Sequence, residues 1–210
     1  MAEKKYLDIV SHYESCLERH GDTHRGVDWP KLEDAVTRYG VMLEVIRREA
    51  EGETVSVLDF GCGAAHLYEH MLATGVRGVA YAGLDLSEKF VGLARRKFPS
   101  NEFYCVDILD DASGVPRFDY VLMNGVFTEK RGLEFDEMLA YFERLLKEVW
   151  AKAERGLAFN VMSKHVDWER EDLFHLPFDT LAAFLTRELT RDFVFRNDYG
   201  LYEYTAYVYR

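Results

Sequence analysis

A chain of 210 residues is long enough for one domain with a full core and too short for two typical ones. Its composition, 48% apolar and 30% charged, is that of a globular protein, and its formal net charge of −11 opposes a grip on a nucleic-acid backbone, which needs a cationic surface. No apolar stretch reaches the roughly 18 residues of a membrane span, and no apolar run follows Met1-Ala2-Glu3-Lys4-Lys5 as it would in a signal peptide.

Tyr6 to Arg19 reads as a helix, because Tyr6, Ile9, Val10, Tyr13 and Leu17 fall on one face. A polar loop, His20 to Asp28, follows. Trp29-Pro30 opens a second helix that is expected to run to about Glu49, since proline suits a first helical turn. Residues 1–50 thus read as a helical cap. From residue 51 onward strands and helices alternate. Strands are expected at Val55–Phe60, Val79–Leu84, Glu102–Val106, Phe118–Met123 and Gly156–Met162. Helices are expected at His66–Ala73, at Ser87–Lys97 with Ser87 as N-cap, at Phe135–Lys152 and from Leu176-Pro177 to Leu189. The strands are near-continuous apolar runs, the mark of a parallel sheet covered on both faces. Asp192–Arg196 and Tyr202–Tyr209 are joined by the short turn Asn197-Asp198-Tyr199-Gly200, so these last two strands must be antiparallel. Arg95-Arg96-Lys97 reads as the solvated end of a helix.

Cys16, Cys62 and Cys105 form no CxxC pair and have no zinc-ligand spacing, so reduced thiols in a cytoplasmic chain are expected. His66 and His70 stand four apart on a helix with no third ligand apparent, and no metal is expected.

The chemistry-bearing segment is Val57-Leu58-Asp59-Phe60-Gly61-Cys62-Gly63-Ala64-Ala65, a strand running through a glycine turn into a helix. Ligands of open α/β sheets bind at the carboxyl ends of strands near the topological switch point, and glycines there let backbone approach a ligand. A dinucleotide turn has a third glycine, but His66 stands in its place. Asp59, two residues before the first glycine, suits an amino or sulfonium cation better than a diphosphate. Asp85 ends the second strand, where a carboxylate accepts from both hydroxyls of a ribose. Asp107 follows the third strand, where an acid can accept from an adenine amino group, with the Ile108 backbone in reach of the ring. Asn124-Gly125 forms a small-residue turn after the fourth strand, beside the first.

From about Val55 onward these segments resemble the class I S-adenosylmethionine-dependent methyltransferases, with Leu58-Asp59-Phe60-Gly61-Cys62-Gly63 matching that family's first motif. The resemblance implies a single Rossmann-like doubly wound sheet of about seven strands, mostly parallel with an antiparallel C-terminal strand, behind the N-terminal cap, with residues 51–210 as the cofactor-binding part. It implies S-adenosylmethionine as cofactor. Gly61 and Gly63 would pack on its methionine part, Asp59 would orient its amino group, Asp85 would hold the ribose, and Asp107 with Ile108 the adenine. Cys62, Leu86, Asn124, Gly125, Tyr39 and Arg38 complete the expected cofactor set, Arg38 as a bidentate partner of the carboxylate.

Asn124-Gly125-Val126-Phe127 is not the (Asp/Asn)-Pro-Pro-(Tyr/Phe) motif of enzymes acting on nucleobase amines or on glutamine, and no Asp…Asp-Asn metal set is evident. The expected reaction is methyl transfer by in-line displacement to an O or N atom of a small molecule, such as a sugar or polysaccharide end or a secondary metabolite. No single residue carries that choice of acceptor. Trp29, Phe127 and Thr128 are the candidate acceptor-binding residues, Trp29 through an aromatic face suited to a sulfonium. His165 and Tyr199 are the candidate catalytic residues, His165 as a base whose ordinary pKa lies near working pH. Two alternatives stay open on sequence grounds: a nicotinamide-dependent oxidoreductase, and a non-catalytic cofactor-binding module.

Overall fold

A computed structural model describes residues 4–48 and 50–210. Strand β1 (Val55–Phe60) lies third from one edge of a seven-stranded sheet. Strands β2 (Val79–Asp85) and β3 (Glu102–Cys105) follow on one side, and β4 (Phe118–Phe127) and β5 (Ala153–Met162) on the other, all parallel. Strands β6 (Phe193–Arg196) and β7 (Glu203–Tyr209) close the sheet. Strand β7 inserts between β5 and β6, antiparallel to both, giving the order 3-2-1-4-5-7-6. The antiparallel hairpin expected from the short turn at residues 197–200 is present. The chain leaves β1 toward one edge and returns to β4, so the switch point lies between β1 and β4.

Two cores cover the two faces. Helices α5 (Phe135–Trp150) and α6 (Phe178–Glu188) pack with Leu58, Phe60, Leu84 and Phe159. Helices α2 (Leu32–Leu43), α3 (His66–Thr74) and α4 (Glu88–Lys97) pack with Val55, Val57, Tyr81 and Tyr120. Alternate residues of β1 therefore serve opposite cores, as the strand period of two requires. Ser87 caps α4 as expected, its hydroxyl accepting from the Phe90 amide. Among the described residues no helix is long and apolar enough to cross a membrane.

Three expected elements differ. The second helix starts later and ends earlier, since Lys31 is extended and Glu44 closes the last turn; the end expected at Glu49 lies outside the described residues. Part of the expected loop is a 3-10 turn, His24–Val27, capped by Thr23. Strand β4 runs on to Phe127 through an irregularity between Met123 and Phe127, where Gly125 takes φ +80°. Helix α1 (Leu7–His20) is as expected. It spans the carboxyl ends of the strands. Lys4 pairs with Asp107 and Asp110 near its start, and Glu14 accepts from Ser87 and pairs with Lys89 farther along.

Candidate active site

The bend after β1 shapes the site. Gly61 has φ +73° and Gly63 φ +52°, and a Cβ on Gly61 would stand 2.7 Å from Val126 Cγ2. The Gly61 and Cys62 amides both donate to the Leu84 carbonyl, at 2.7 and 2.9 Å, which ties the bend to the end of β2. Asp85 reinforces this tie: its carboxylate accepts from the Gly63 amide and the Ser87 amide, both at 2.9 Å. A carboxylate has about four lone-pair sites, so acceptor capacity is left for a ligand diol. Burial pushes the Asp85 pKa up, against the pull of those amides.

Asp59 is 3% exposed and accepts from the Tyr81 hydroxyl at 2.7 Å. Burial pushes its pKa up to about 7, and the nearby Asp85 adds to the rise. A buried carboxyl with a neutral partner is poised to ionise when a cation arrives. Asn124 Oδ1 is buried with no hydrogen-bond partner among the described residues. Such an orphan acceptor costs free energy unless a ligand donates to it.

These groups line one cleft of about 1000 Å³, its open mouth included. Its floor is the strand ends, with Asp59, Gly61, Cys62, Gly63, Asp85, Leu86, Asn124 and Gly125. Its roof is the cap, with Ile9, Val10 and Tyr13 of α1, then Val27, Trp29 and Tyr39.

The family model described as a methyltransferase domain matches residues 58–148. A putative methyltransferase of Mycobacterium tuberculosis is 28% identical over 158 residues, which is 73% of this chain and 92% of that protein. Both matches are to methyltransferases and support the class I S-adenosylmethionine-dependent family that the glycine motif resembles. Ribosomal RNA small subunit methyltransferase C of Chromohalobacter salexigens is 30% identical over 162 residues, 73% of this chain, which spans only 45% of that longer relative. In fold, the chain is similar to magnesium protoporphyrin IX methyltransferase from Synechocystis, solved with bound S-adenosylhomocysteine. The TM-score is 0.64 at 16% identity, over 97% of this chain and 99% of that one.

Other residues singled out in the sequence stand elsewhere in the fold. Asp107 does not line the cleft. Its carboxylate accepts from Tyr6 at 2.5 Å and Lys4 at 2.9 Å. Burial alone would raise its pKa, but these donors outweigh it and hold the carboxyl low. Tyr6 lines the cleft in its stead, stacked on Tyr141 with centroids 4.8 Å apart. Ile108 is buried in the core on the α5 face. Arg38 is not free for a bidentate grip on a ligand. Its Nε donates to both oxygens of Glu203, at 2.9 and 2.8 Å, and its Nη2 lies 2.7 Å from Oε2. Only Nη1 is buried without a partner among the described residues. The guanidinium also covers the Trp29 ring at 4.1 Å, so one aromatic face of Trp29 already has its cation.

Phe127 is fully buried, its ring edge-on to Phe142 at 4.7 Å, and Thr128 is buried with its hydroxyl on the Gly125 carbonyl. Neither lines the cleft, because β4 continues through the bulge to Phe127 and buries it, with Thr128 buried just beyond the strand end. His165 is exposed on the loop after β5, stacked on Phe178 at 5.4 Å, and does not line the cleft. Tyr199 shares a hydrogen bond with Thr205 at 2.9 Å, also away from the cleft. Burial and the nearby Glu203 push its pKa far up, so it keeps its proton.

Sequence reasoning missed Glu203, which is 1% exposed and joins the cap to the sheet. Asn160 Nδ2 donates to Glu203 at 2.8 Å, and Asn160 Oδ1 accepts from the Gly125 amide at 2.7 Å. Arg38, Glu203 and Asn160 thereby fix the bulge that presents Asn124. The one sequence sign was an acid at the start of an otherwise apolar strand.

Proposed function

We propose that the cleft binds S-adenosylmethionine and that this methyltransferase acts on an O or N atom of a small-molecule acceptor. One observation carries the reading. Asp59 and Asp85 end adjacent parallel strands on either side of a glycine bend, and both line one cleft with an orphaned Asn124 acceptor. The donor set fits the cofactor. Asp85 would hold the ribose diol, while Asp59 and Asn124 Oδ1 would accept from the amino group. Arg38 Nη1, the spare donor beside Trp29, is the candidate for the carboxylate. Leu86 and the Tyr6 ring would flank the adenine, with Asp107 set behind Tyr6.

The bound cofactor supplies an electrophilic methyl group on a sulfonium. The chain's own contribution is alignment and exclusion of water. Cap residues Ile9, Val10 and Tyr13 close over the strand ends and keep bulk water from them. Tyr13 donates to the Gly125 carbonyl at 3.4 Å, which ties the roof to the floor. The loop after β5 sends no titratable side chain into the cleft, so a base role for His165 is not carried forward. A small acceptor is supported by the net charge of −11, which repels polyanions, and by a cleft roofed by apolar and aromatic side chains.

Isothermal titration with S-adenosylhomocysteine tests the reading. One site per chain is expected. Asp85→Ala should weaken binding by about 1–3 kcal/mol, the loss of hydrogen bonds to a charged acceptor. Absence of heat from well-folded protein, or an unchanged affinity in Asp85→Ala, overturns the assignment.

A further inference from the structure

Beside the roof of the cleft lies a group of side chains that the methyl-transfer reading does not use. His12 and Cys16 are four residues apart on α1 and so share one face of the helix. Asp28 follows the 3-10 turn in a left-handed conformation, φ 59°, which brings the next segment back against that face. His12 Nε2 lies 2.7 Å from Asp28 Oδ2 and 3.7 Å from Cys16 Sγ, and the three donor atoms all lie within 4.8 Å of one another. Cys16 is 2% exposed, while the side chains of His12 and Asp28 are 17% and 36% exposed.

The arrangement is not that of a nucleophile with its base. A catalytic triad uses the two imidazole nitrogens separately, one toward the nucleophile and one toward the acid. Here the thiol and the carboxylate converge on the same nitrogen, Nε2. One ring nitrogen cannot serve two hydrogen-bond partners well, but convergence on a common point is what ligands of one metal ion do. Zinc–ligand bonds of 2.0–2.3 Å in a tetrahedron place donor atoms roughly 3.3–3.8 Å apart. The sulfur–nitrogen separation already has that value, and the nitrogen–oxygen pair needs to widen by about half an ångström. The mixed nitrogen, sulfur and oxygen set selects a zinc-class ion over magnesium or calcium, which take oxygen ligands. Arg19 Nη2 donates to Cys16 Sγ at 3.3 Å, and its charge partly opposes the rise in thiol pKa that burial causes.

We propose that His12, Cys16 and Asp28 form a binding site for one zinc-class divalent ion, with a fourth position open to water. The ion staples α1 to the segment before α2. It is structural, because it sits behind residues that line the cleft: Tyr13 follows His12, and Val27 and Trp29 flank Asp28. The sequence concealed the site because two ligands lie on a helix and the third is 12 residues farther on, in a turn.

Cobalt titration of the chelator-treated, full-length chain tests this proposal without reference to the methyl acceptor. One equivalent of Co²⁺ should produce a near-ultraviolet thiolate-to-cobalt band, and Zn²⁺ should abolish it while Mg²⁺ does not. Cys16→Ser should lack the band although Cys62 and Cys105 remain, and a variant carrying only Cys16 should keep it. His12→Ala and Asp28→Asn should each weaken Co²⁺ binding by about tenfold or more. No band in the wild-type chain, a band that persists in Cys16→Ser, or one lost when only Cys16 is kept overturns the proposal.

Discussion

At the residue scale the most consequential group is Asp59. Its folded pKa of about 7 stands against an ordinary carboxyl value near 4 in the unfolded chain. Between those values the folded state holds a proton that the unfolded state has lost. The cofactor-free protein should therefore lose stability as pH rises from about 4 to about 7. A ligand ammonium reverses the preference, because it pairs only with the ionised carboxylate. Affinity for S-adenosylhomocysteine should accordingly rise between pH 6 and pH 8, and Asp59→Asn should flatten that rise. Calorimetry at both pH values measures it, and equal slopes in the two proteins would remove Asp59 from the amino-group site. The same scale shows why Gly125 cannot carry a side chain: a Cβ there would meet the Trp29 ring at 2.8 Å.

At the element scale α5 holds the sheet together from one side. Phe142 is fully buried and meets the rings of Phe127, Phe159, Phe174 and Phe184 at centroid distances of 4.7 to 6.0 Å. Truncation there removes a shared partner from β4, β5, α6 and the loop before α6 at once. Phe142→Ala should destabilise the fold by about 3–5 kcal/mol, read from the denaturant midpoint at constant slope. A cost under about 1 kcal/mol would show that the site collapses freely. Helix α1 is held differently, by ion pairs at its start and middle and by few buried apolar side chains, Ile9 and Cys16 among them. It covers the cleft through which a ligand must pass.

At the scale of the whole molecule one buried network ties the first third of the chain to the last strand. Arg38 from α2, Glu203 from β7 and Asn160 from β5 meet behind the bulge of β4. The charges are taken out of water, so removing one partner leaves the other unpaired. Glu203→Ala should cost about 3–5 kcal/mol and should also weaken cofactor binding, because the Gly125 bulge loses its support. Thermal unfolding and calorimetry on the same sample separate the two effects; normal affinity in a destabilised variant would confine the network to stability.

Much of the fold was legible because strand and helix periodicities are local. The apolar runs at Val55–Phe60 and Val79–Leu84, the Ser87 cap and the short turn before Glu203 each specify structure from neighbours along the chain. The floor of the site was legible for the same reason: Asp59, Gly61, Gly63 and Asp85 sit at strand ends, and a parallel sheet brings strand ends together. What periodicity cannot say is whether a polar residue beyond a strand faces a ligand or another side chain. Tertiary packing gave Asp107 to Tyr6 and Lys4, gave Arg38 to Glu203, and drew Phe127 and Thr128 into the core through the β4 bulge. It also set His12, Cys16 and Asp28 side by side. Local sequence determined the sheet and the bend that faces the cleft. Only the folded chain decided which charges were already spoken for, because a buried charge takes whatever partner lies nearest in space, at any distance along the sequence.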